Sequence, residues 1–233
     1  MIFVSGKKGN TMNNKTAFNA ENYDGRIRKI IPYYDEFYKQ IFGVIKAYYG
    51  DQKLALLDTG CGTGNYAAIA FEKLNVSEMV LCDPSENMLN TAREKLAGKA
   101  CEFICAGSES LEFENRFDVV TAIQSHHYFD RKGRKQAVQN CFRALTPGGL
   151  FICFENTASF TETGKNITLR RLEEFEAEAG RTEDEIKHHS ARYNTEFFPI
   201  TISEHLELMK NTGFSAAEVL WVSFMQSGYF AIK

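Results

Sequence analysis

The sequence predicts an α/β protein with a doubly wound, mostly parallel sheet of seven strands, an antiparallel C-terminal hairpin and a helical cap. Short apolar runs alternate with stretches of helical period from residue 54 to residue 154, which is the pattern of parallel strands joined by helices. Residues 214–224 and 225–232 then form two adjoining strand patterns that predict the hairpin. Residues 157–200 are charged, helical in pattern and too long for a plain connection, which predicts the cap.

The length of the chain, 233 residues, is that of one α/β domain. Residues 1–18 are polar and show no period, which predicts a flexible leader before a single domain at 19–233. Pro32 divides the segment 19–50 into a short helix and a longer one that ends near Gly50.

The charge and cysteine content argue against several classes of protein. Lys and Arg number 27 against 30 Asp and Glu, so the net charge of −3 provides no general field for a nucleic acid. No run of about eighteen apolar residues is present, and the first ten residues turn polar too soon for a signal peptide, so we expect a cytoplasmic protein without a membrane segment. The 6 cysteines form no CxxC pair and are expected to be reduced, buried residues, with no metal site.

The first strand, 54–58, runs directly into glycines at 60, 62 and 64, and helical spacing follows. Glycine permits a positive φ and lacks the Cβ that would hold a ligand away from the main chain. The first N–H groups of the helix also point toward such a ligand. The pattern therefore predicts a loop that lies against a flat, polar small molecule, and a dinucleotide site with the same geometry stays open at this point.

The second strand, 78–82, ends at Asp83, about twenty residues after the glycines. A carboxylate at this strand tip can accept both hydroxyls of a ribose, so a nucleoside is expected. The loop lacks the GxGxxG spacing that brings a helix to a pyrophosphate, which argues against a dinucleotide. Ser85 is placed to cap the next helix, and Met88 lies one turn inside it, where it would cover adenine or simply pack in the core.

The third and fourth strands, 100–105 and 117–123, also end at polar residues. Residues at the carboxyl ends of strands beside the switch point of a doubly wound sheet border the ligand crevice, so the loop after the fourth strand is expected to face the acceptor. Either His126 or His127 can serve as a general base, because the ordinary pKa of histidine lies close to neutral pH, or can simply shape the pocket. The residues at the two tips are Gly107, Ser108 and Glu109, and Gln124, Ser125, His126, His127 and Tyr128.

The helical pattern 131–145 ends at the turn Pro147-Gly148-Gly149, and the fifth strand, 150–154, leads to Glu155 at another strand tip. Further helices are predicted at 164–179, 182–192 and 203–211.

Three motifs in this order resemble those of class I S-adenosylmethionine-dependent methyltransferases, over roughly residues 50–156. Asp58 to Gly64 resembles their first motif, Asp83 their ribose-binding acid, and Thr146 to Gly149 their late turn. The resemblance implies a Rossmann-like fold, S-adenosyl-L-methionine as donor and S-adenosyl-L-homocysteine as product. Because such a site is closed against water during transfer, residues 19–50 are predicted to form a lid and 157–200 a substrate cap.

The resemblance also implies roles for individual residues. Many relatives carry an aspartate after the glycine at 107, where this chain has Ser108, so the adenine contact passes to the backbone or to Glu109. The catalytic candidates are His126 and His127, and no metal ligands are expected. The cofactor-binding candidates are Tyr34, Asp58, Gly60, Cys61, Gly62, Gly64, Asp83, Pro84, Met88, Gly107, Ser108, Gln124 and Ser125, and the substrate-pocket candidates are Tyr23, Tyr128, Glu155, Phe198 and Trp221.

Both flanks, 27–37 and the segment from Arg170 to the C-terminus, are similar to the enzymes that carboxymethylate the wobble uridine of tRNA with carboxy-S-adenosylmethionine. Those enzymes need a cation for the extra carboxylate of their donor, and their arginine aligns with Leu208, which favours ordinary S-adenosylmethionine here. We expect methyl transfer to a small molecule, with the tRNA wobble uridine as the alternative acceptor and a homodimer suggested by the resemblance. A nicotinamide-dependent oxidoreductase and a non-catalytic nucleoside-binding module are the competing classes.

Overall fold

The computed structural model describes residues 24–233. The predicted leader at 1–18 and the pocket candidate Tyr23 lie outside this range.

A sheet of seven strands forms the centre of the molecule, in the order β3-β2-β1-β4-β5-β7-β6. β1 to β5 pair in parallel, whereas β7 runs antiparallel to both β5 and β6. The predicted fold class is therefore confirmed, including the C-terminal hairpin. The strands are β1 Lys53–Thr59, β2 Asn75–Cys82, β3 Glu102–Ile104, β4 Phe117–Ile123, β5 Leu145–Asn156, β6 Ala216–Ser223 and β7 Gln226–Ile232.

Helices cover both faces of this sheet, because its central strands are buried on both sides. Short 3-10 turns occur at Ile27–Lys29, Ser108–Ser110 and His126–Tyr128. The α-helices are α1 Tyr34–Tyr49, α2 Asn65–Lys73, α3 Glu86–Lys95, α4 Arg131–Ala144, α5 Glu162–Glu178, α6 Glu183–Ala191 and α7 Ile202–Thr212.

Successive residues of a strand point to opposite faces, and this divides the core into two apolar layers. Leu56 faces the layer that contains α1, where Phe37 stacks on Phe154 with 4.6 Å between ring centroids. Leu57 faces the other layer, which contains α4 and α7 and includes Met209. Each layer is continuous, so it holds the parallel strands in place. The carboxyl ends of these strands, which carry the candidate residues, therefore lie at fixed positions on the same side of the sheet.

The fifth strand begins earlier than the sequence indicated. Thr146 to Gly149 was expected to be a turn before a strand at 150–154, but β5 already starts at Leu145. The pairing with β4 shifts register over this stretch, where Gly148 has a φ of 77°. The glycines therefore make a bulge within a longer strand, because only a residue without Cβ adopts this φ without strain.

The segment predicted to be a cap contains α5 and α6, close to the expected ranges 164–179 and 182–192. α6 begins with a capping box, in which Thr182 and Glu185 each bond the backbone N–H of the other. Leu172 of α5 packs with Phe197 and Met225 in a small apolar cluster of its own. Whether this segment acts as a substrate cap stays a prediction.

Within residues 24–233, no helix has both the length and the apolar character needed to cross a membrane.

Candidate active site

The loop after β1 adopts the conformation that its glycines allow. Gly60, Gly62 and Gly64 have φ values of 65°, 55° and 76°. A Cβ on Gly60 would collide with Ser125 in the loop after β4, whereas a Cβ on Gly62 would meet no atom within 4 Å. Gly60 therefore lets two loops approach each other, and Gly62 leaves space in front of the backbone, as a bound ligand requires.

The carboxylate of Asp83 faces this loop from the tip of β2. Its Oδ2 accepts the N–H of Gly62 at 2.9 Å, and its Oδ1 accepts the N–H of Ser85 at 2.8 Å. Burial raises the pKa of Asp83, although these two backbone bonds counteract the rise. The structure thus brings the predicted acid to the glycine loop, and its contact with a ribose stays a prediction.

A pocket lies in front of the loop. As far as the described residues form it, its wall contains five of the predicted residues and no Lys or Arg. The residues are Tyr34, Asp58, Gly60, Cys61 and Gly62, together with Tyr38, Thr63, Asn65, Tyr66 and Ile123, which we did not predict. Asn65 and Tyr66 start α2, so their position in the first turn after the glycines was the signal that could have identified them.

The first described residues attach one wall of this pocket to the glycine loop. Asp24 accepts hydrogen bonds from Thr63 Oγ1 at 2.7 Å, from Asn65 Nδ2 at 2.7 Å and from Lys95 Nζ at 2.6 Å. The same N-terminal region contributes Tyr34 to the pocket wall. The predicted lid thus contacts the loop that it was expected to cover, and its motion stays a prediction.

Two buried polar groups in the pocket lack interactions that fully offset the cost of their burial. Burial raises the pKa of Asp58 to about 7, although Thr121 donates a hydrogen bond to it at 2.7 Å and the charge of Asp83 adds to the rise. The hydroxyl of Tyr66 is buried and has no hydrogen-bond partner among the described residues. A cationic ligand would stabilise the ionised form of Asp58, and a polar ligand would satisfy Tyr66.

The tip of β3 does not offer Ser108 to a ligand. Its Oγ lies 3.1 Å from Nε2 of His126, inside the protein. Glu109 instead folds back over Gly107, where an added Cβ would collide with the carboxylate. Oε2 of Glu109 is buried without a hydrogen-bond partner in the described chain, so it can accept a hydrogen bond from a ligand.

Several predicted residues do not line this pocket. Met88 is a buried residue of α3, and Trp221 packs on Phe37 with 5.3 Å between ring centroids. Leu208 lies in a surface groove between α4 and α7, together with Arg131 and Lys135. The other predicted residues outside the pocket wall are Gly64, Asp83, Pro84, Gly107, Ser108, Gln124, Ser125, His126, His127, Tyr128, Glu155 and Phe198.

The loop after β4 is held by a buried carboxylate at the tip of β5. Glu155 accepts the backbone N–H of His126 at 3.1 Å and that of His127 at 2.8 Å. Nδ1 of His127 also lies 2.8 Å from Oε2 of Glu155. Gln124, at the start of the loop, has a φ of 53°, a strained value that surrounding contacts must enforce.

The backbone carbonyl groups of the loop after β4 are held by hydrogen bonds as well. Arg134 donates from Nε to the carbonyl of His126 at 3.2 Å and from its terminal nitrogen to the carbonyl of Phe198. The N–H of Phe198 donates to the carbonyl of His127 at 2.7 Å. We did not predict Arg134, yet it precedes the buried Ala137 and Val138 by three and four residues, and this helical spacing indicates a buried arginine.

Burial and charge give the two histidines different surroundings. Burial lowers the pKa of His126 to about 4, so this imidazole is neutral at pH 7 and a weak base. Burial alone would raise the pKa of Glu155, but the hydrogen bond and charge of His127 lower it to about 2. The cluster therefore holds a charged carboxylate against His127 and a neutral ring at His126. Among the described residues, no group of His, Cys, Asp and Glu has the geometry of a metal site.

Known proteins with similar sequences are methyltransferase-like. Residues 56–149 match a family model described as a methyltransferase domain. The carboxy-S-adenosyl-L-methionine synthase of Trichodesmium erythraeum (strain IMS101) is 28% identical over 212 residues, which cover 88% of this chain and 83% of that protein. The protein of the same name from Helicobacter hepaticus is 26% identical over 213 residues, covering 88% and 89%.

The chain is an S-adenosylmethionine-dependent methyltransferase that resembles class I of these enzymes.

Solved structures share the fold of this methyltransferase. A putative methyltransferase from Haloferax volcanii, in complex with the Trm112 activator, superposes with a TM-score of 0.65 at 12% identity and covers 93% of this chain and 99% of that one. A possible histamine N-methyltransferase from Thermotoga maritima gives 0.58 at 16% identity, covering 91% and 95%. At these identities the likeness extends to the fold alone.

The pocket of this methyltransferase fits S-adenosylmethionine by three observations of its own. The space in front of Gly62 admits a ligand against the backbone, a positive charge would favour the ionised form of Asp58, and the Tyr66 hydroxyl has no hydrogen-bond partner within residues 24–233. S-adenosylmethionine carries a sulfonium, an ammonium and an adenine amino group, which supply these partners.

Proposed function

We propose that this methyltransferase transfers the methyl group of S-adenosylmethionine to a small-molecule acceptor and releases S-adenosylhomocysteine. The observation that carries the proposal is the Asp83 carboxylate bonded to Gly62 at the edge of the glycine loop. The carboxylate can accept hydrogen bonds from the ribose hydroxyls, and the backbone at Gly62 has no side chain to hold a ligand away. A nucleoside site requires both features in one place.

In the donor half of the site, residues at different strand tips bind different parts of the nucleoside. Asp83 holds the ribose, Glu109 accepts from the adenine amino group, and Asp58 and Tyr66 take the charged methionine end. Bound there, S-adenosylmethionine supplies a carbon that its sulfonium already activates for displacement. The protein then needs to align the acceptor with that carbon and exclude water, rather than activate the donor further.

A small acceptor is favoured over tRNA by the charges of the site. Within residues 24–233 the pocket wall contains no Lys or Arg, and the chain as a whole carries a net charge of −3. A tRNA-modifying enzyme is expected to neutralise several phosphates with basic residues. We therefore place the wobble uridine second among acceptors, and we expect no shift of bulk tRNA at low salt.

Formation of carboxy-S-adenosylmethionine is the second candidate function. It is supported by relatives of that name, such as the one that is 28% identical over 88% of this chain. In that case S-adenosylmethionine would be the substrate and would leave the enzyme carrying an added carboxyl group. The donor half of the site would be the same in both candidates, so the product must decide between them.

Two measurements test these candidates. Calorimetry with S-adenosylmethionine should show saturable binding that Asp83→Ala weakens by roughly 10- to 100-fold, since hydrogen bonds to a charged group contribute about 1.5–3 kcal/mol. Asp51→Ala, an exposed site, is the matched control and should bind normally. Unchanged affinity in Asp83→Ala would refute the donor assignment.

Mass spectrometry then identifies the product. The enzyme is incubated with methyl-labelled S-adenosylmethionine and a small-molecule extract of bacteria. Labelled methyl groups on an extract component, together with S-adenosylhomocysteine, support methyl transfer. A labelled sulfonium nucleoside that has gained a carboxyl group supports the second candidate instead.

A further inference from the structure

A series of aromatic ring contacts leads from the pocket in front of the glycine loop to the protein surface. Tyr34, in the pocket wall, lies 5.7 Å from Phe37 of the same helix, measured between ring centroids. Phe37 contacts Trp221 of β6 at 5.3 Å, and Trp221 contacts Tyr33 at 6.5 Å. Tyr33 in turn lies 6.2 Å from Phe224, in the turn between β6 and β7. We name the surface end of this series, Tyr33, Trp221 and Phe224, the aromatic cluster.

The pairing of the strands also connects the aromatic cluster with the pocket. Ile123, in the pocket wall, pairs with Phe154 of β5, Phe154 pairs with Gly228 of β7, and Gly228 pairs with Trp221. A Cβ on Gly228 would collide with the ring of Phe154, so this glycine makes room for that ring. Trp221 therefore lies three strands from Ile123, roughly 14 Å across the sheet, which an acceptor of one or two rings can bridge.

Two members of the aromatic cluster have backbone angles that bulky residues rarely adopt. Tyr33 has a φ of 56° and Phe224 a φ of 52°, both in the left-handed region. Surrounding contacts must enforce such angles, and residues of this kind concentrate at ligand sites. Here the two strained residues bring their rings into contact with each other.

The aromatic cluster combines one open ring with a partly buried base. Tyr33 is 64% exposed, although its ring contacts two others, whereas Trp221 and Phe224 are half-buried. Arg171 of α5 covers one face of Phe224, with 4.4 Å between the guanidinium carbon and the ring centroid, and Phe175 supports the same ring from 5.9 Å. A flat aromatic molecule on this surface would gain ring contacts that an aliphatic molecule of equal size would not gain.

We propose that the aromatic cluster is the acceptor subsite of this methyltransferase and that it binds a planar aromatic ring of the acceptor. This inference rests on the proposed function and specifies its substrate class. The donor occupies the pocket at one end of the series of rings. The acceptor ring packs on Tyr33 at the other end, and its reactive substituent extends toward the pocket.

Trp221 makes occupancy of the aromatic cluster measurable, because the chain contains 1 tryptophan. Its indole N–H gives one peak in a nitrogen-15 correlation spectrum of the full chain with S-adenosylhomocysteine added. We expect catechol to shift this peak saturably, because an aromatic ring nearby changes the local magnetic field. Cyclohexane-1,2-diol has the same hydroxyl pattern without the aromatic ring and should leave the peak in place.

Three results of this titration overturn the proposal. They are equal shifts from both compounds, no shift from catechol, and a peak that moves with protein concentration instead. The last result would mean that a second copy of the chain covers the cluster.

Two variants remove an aromatic ring from the cluster. Tyr33→Gly suits the left-handed φ and removes a mostly exposed ring, so its urea midpoint should not fall. Phe224→Leu keeps an apolar side chain in place. Each should weaken catechol binding by roughly 3- to 10-fold, the usual contribution of an aromatic contact. Tyr48→Ala removes an exposed tyrosine at the opposite end of α1 and is the matched control, with catechol affinity unchanged. Unchanged affinity in either cluster variant overturns the proposal.

Turnover separates this inference from the proposed function. With the acceptor that the labelling assay identifies, Tyr33→Gly should raise KM for the acceptor by a similar factor and leave KM for S-adenosylmethionine unchanged. A labelled component without an aromatic ring overturns the inference and leaves methyl transfer intact. Absence of S-adenosylmethionine binding in the calorimetry overturns the proposed function instead, and the catechol titration still shows whether the ring site exists.

Discussion

Two pairs of histidine and glutamate in this methyltransferase look alike and differ in their surroundings. In His127–Glu155 and His189–Glu176, Nδ1 approaches a carboxylate that is 1% exposed, at 2.8 Å and 2.5 Å. The first pair joins two strand tips beside the candidate active site. The second joins the helices α5 and α6 of the cap.

The difference lies in how each carboxylate charge is balanced. The second oxygen of Glu176 binds the buried guanidinium of Arg181, so a permanent cation compensates the charge. Glu155 accepts two backbone N–H groups, and the described residues include no Lys or Arg in an ion pair with it. Arginine therefore compensates the charge of Glu176, whereas backbone N–H groups and His127 stabilise the charge of Glu155.

The largest expected effect comes from removing the cation of the cap pair. Arg181→Met leaves the buried charge of Glu176 without its main partner, which typically destabilises a protein by about 3–5 kcal/mol. Urea unfolding should show this loss, and calorimetry should show unchanged affinity for S-adenosylmethionine.

Arg116→Met is the control for this substitution. Arg116 pairs with Glu78 and Glu102 at partly exposed positions, where ion pairs contribute only about 0–1 kcal/mol. Similar unfolding curves for both variants would remove the distinction between the two pairs.

Acid should weaken the cluster around Glu155 in two stages. The pKa values of His126 and His205 are lowered by burial to about 4 from 6.5, so the unfolded chain binds their protons first and stability falls as the pH drops from 6.5 to 4. The pKa of Glu155, lowered to about 2 from 4.5, makes stability fall again between pH 4.5 and 2. Each shift corresponds to roughly 3 kcal/mol, and urea unfolding across this range measures the sum.

His205→Phe isolates one of these contributions. The imidazole stacks on Tyr229 with 4.7 Å between centroids, and its Nε2 is buried without a hydrogen-bond partner in the described part of the chain, so a phenyl ring should fit there. The stability lost between pH 7 and pH 5 should shrink by about 2 kcal/mol in this variant. An identical pH dependence would show that His205 takes up its proton without unfolding.

The smallest expected loss of stability comes from weakening α6, the helix that carries His189 of the cap pair. Thr182→Ala removes the N-terminal cap of α6, the helix that carries His189, and should cost about 1 kcal/mol. Hydrogen exchange should accelerate in α6 while the loop 124–128 keeps its protection. Faster exchange in both regions would mean that the cap and the loop after β4 open together.

The donor half of the site was readable from the sequence because local patterns encode it. A buried strand followed by Gly60, Gly62 and Gly64 has few alternatives, and a carboxylate after the next strand of a doubly wound sheet must lie beside that loop. The structure places Asp83 there, as the pattern indicated. The order of strands follows from the same alternation of elements.

The arrangement around Glu155 could not be predicted from the sequence, because side chains that are distant in sequence build it. Glu155 was predicted to line a pocket, and nothing in its neighbours indicates that it accepts the N–H groups of a loop 28 residues earlier. Ser108 turned inward to His126, and β5 began five residues before the expected start because its glycines form a bulge. The direction of a side chain and the register of a strand depend on tertiary packing, which overrides the local conformational preference of the residues.

The attachment of Asp24 to the glycine loop has a consequence for turnover. One pocket wall is joined to Thr63, Asn65 and Lys95 through side-chain bonds, and these can break without disturbing the sheet. Because the ion pair with Lys95 is partly exposed to solvent, dissolved ions screen it. Ionic strength should therefore change how long a nucleoside resides in the enzyme, separately from how fast the bond to carbon is made.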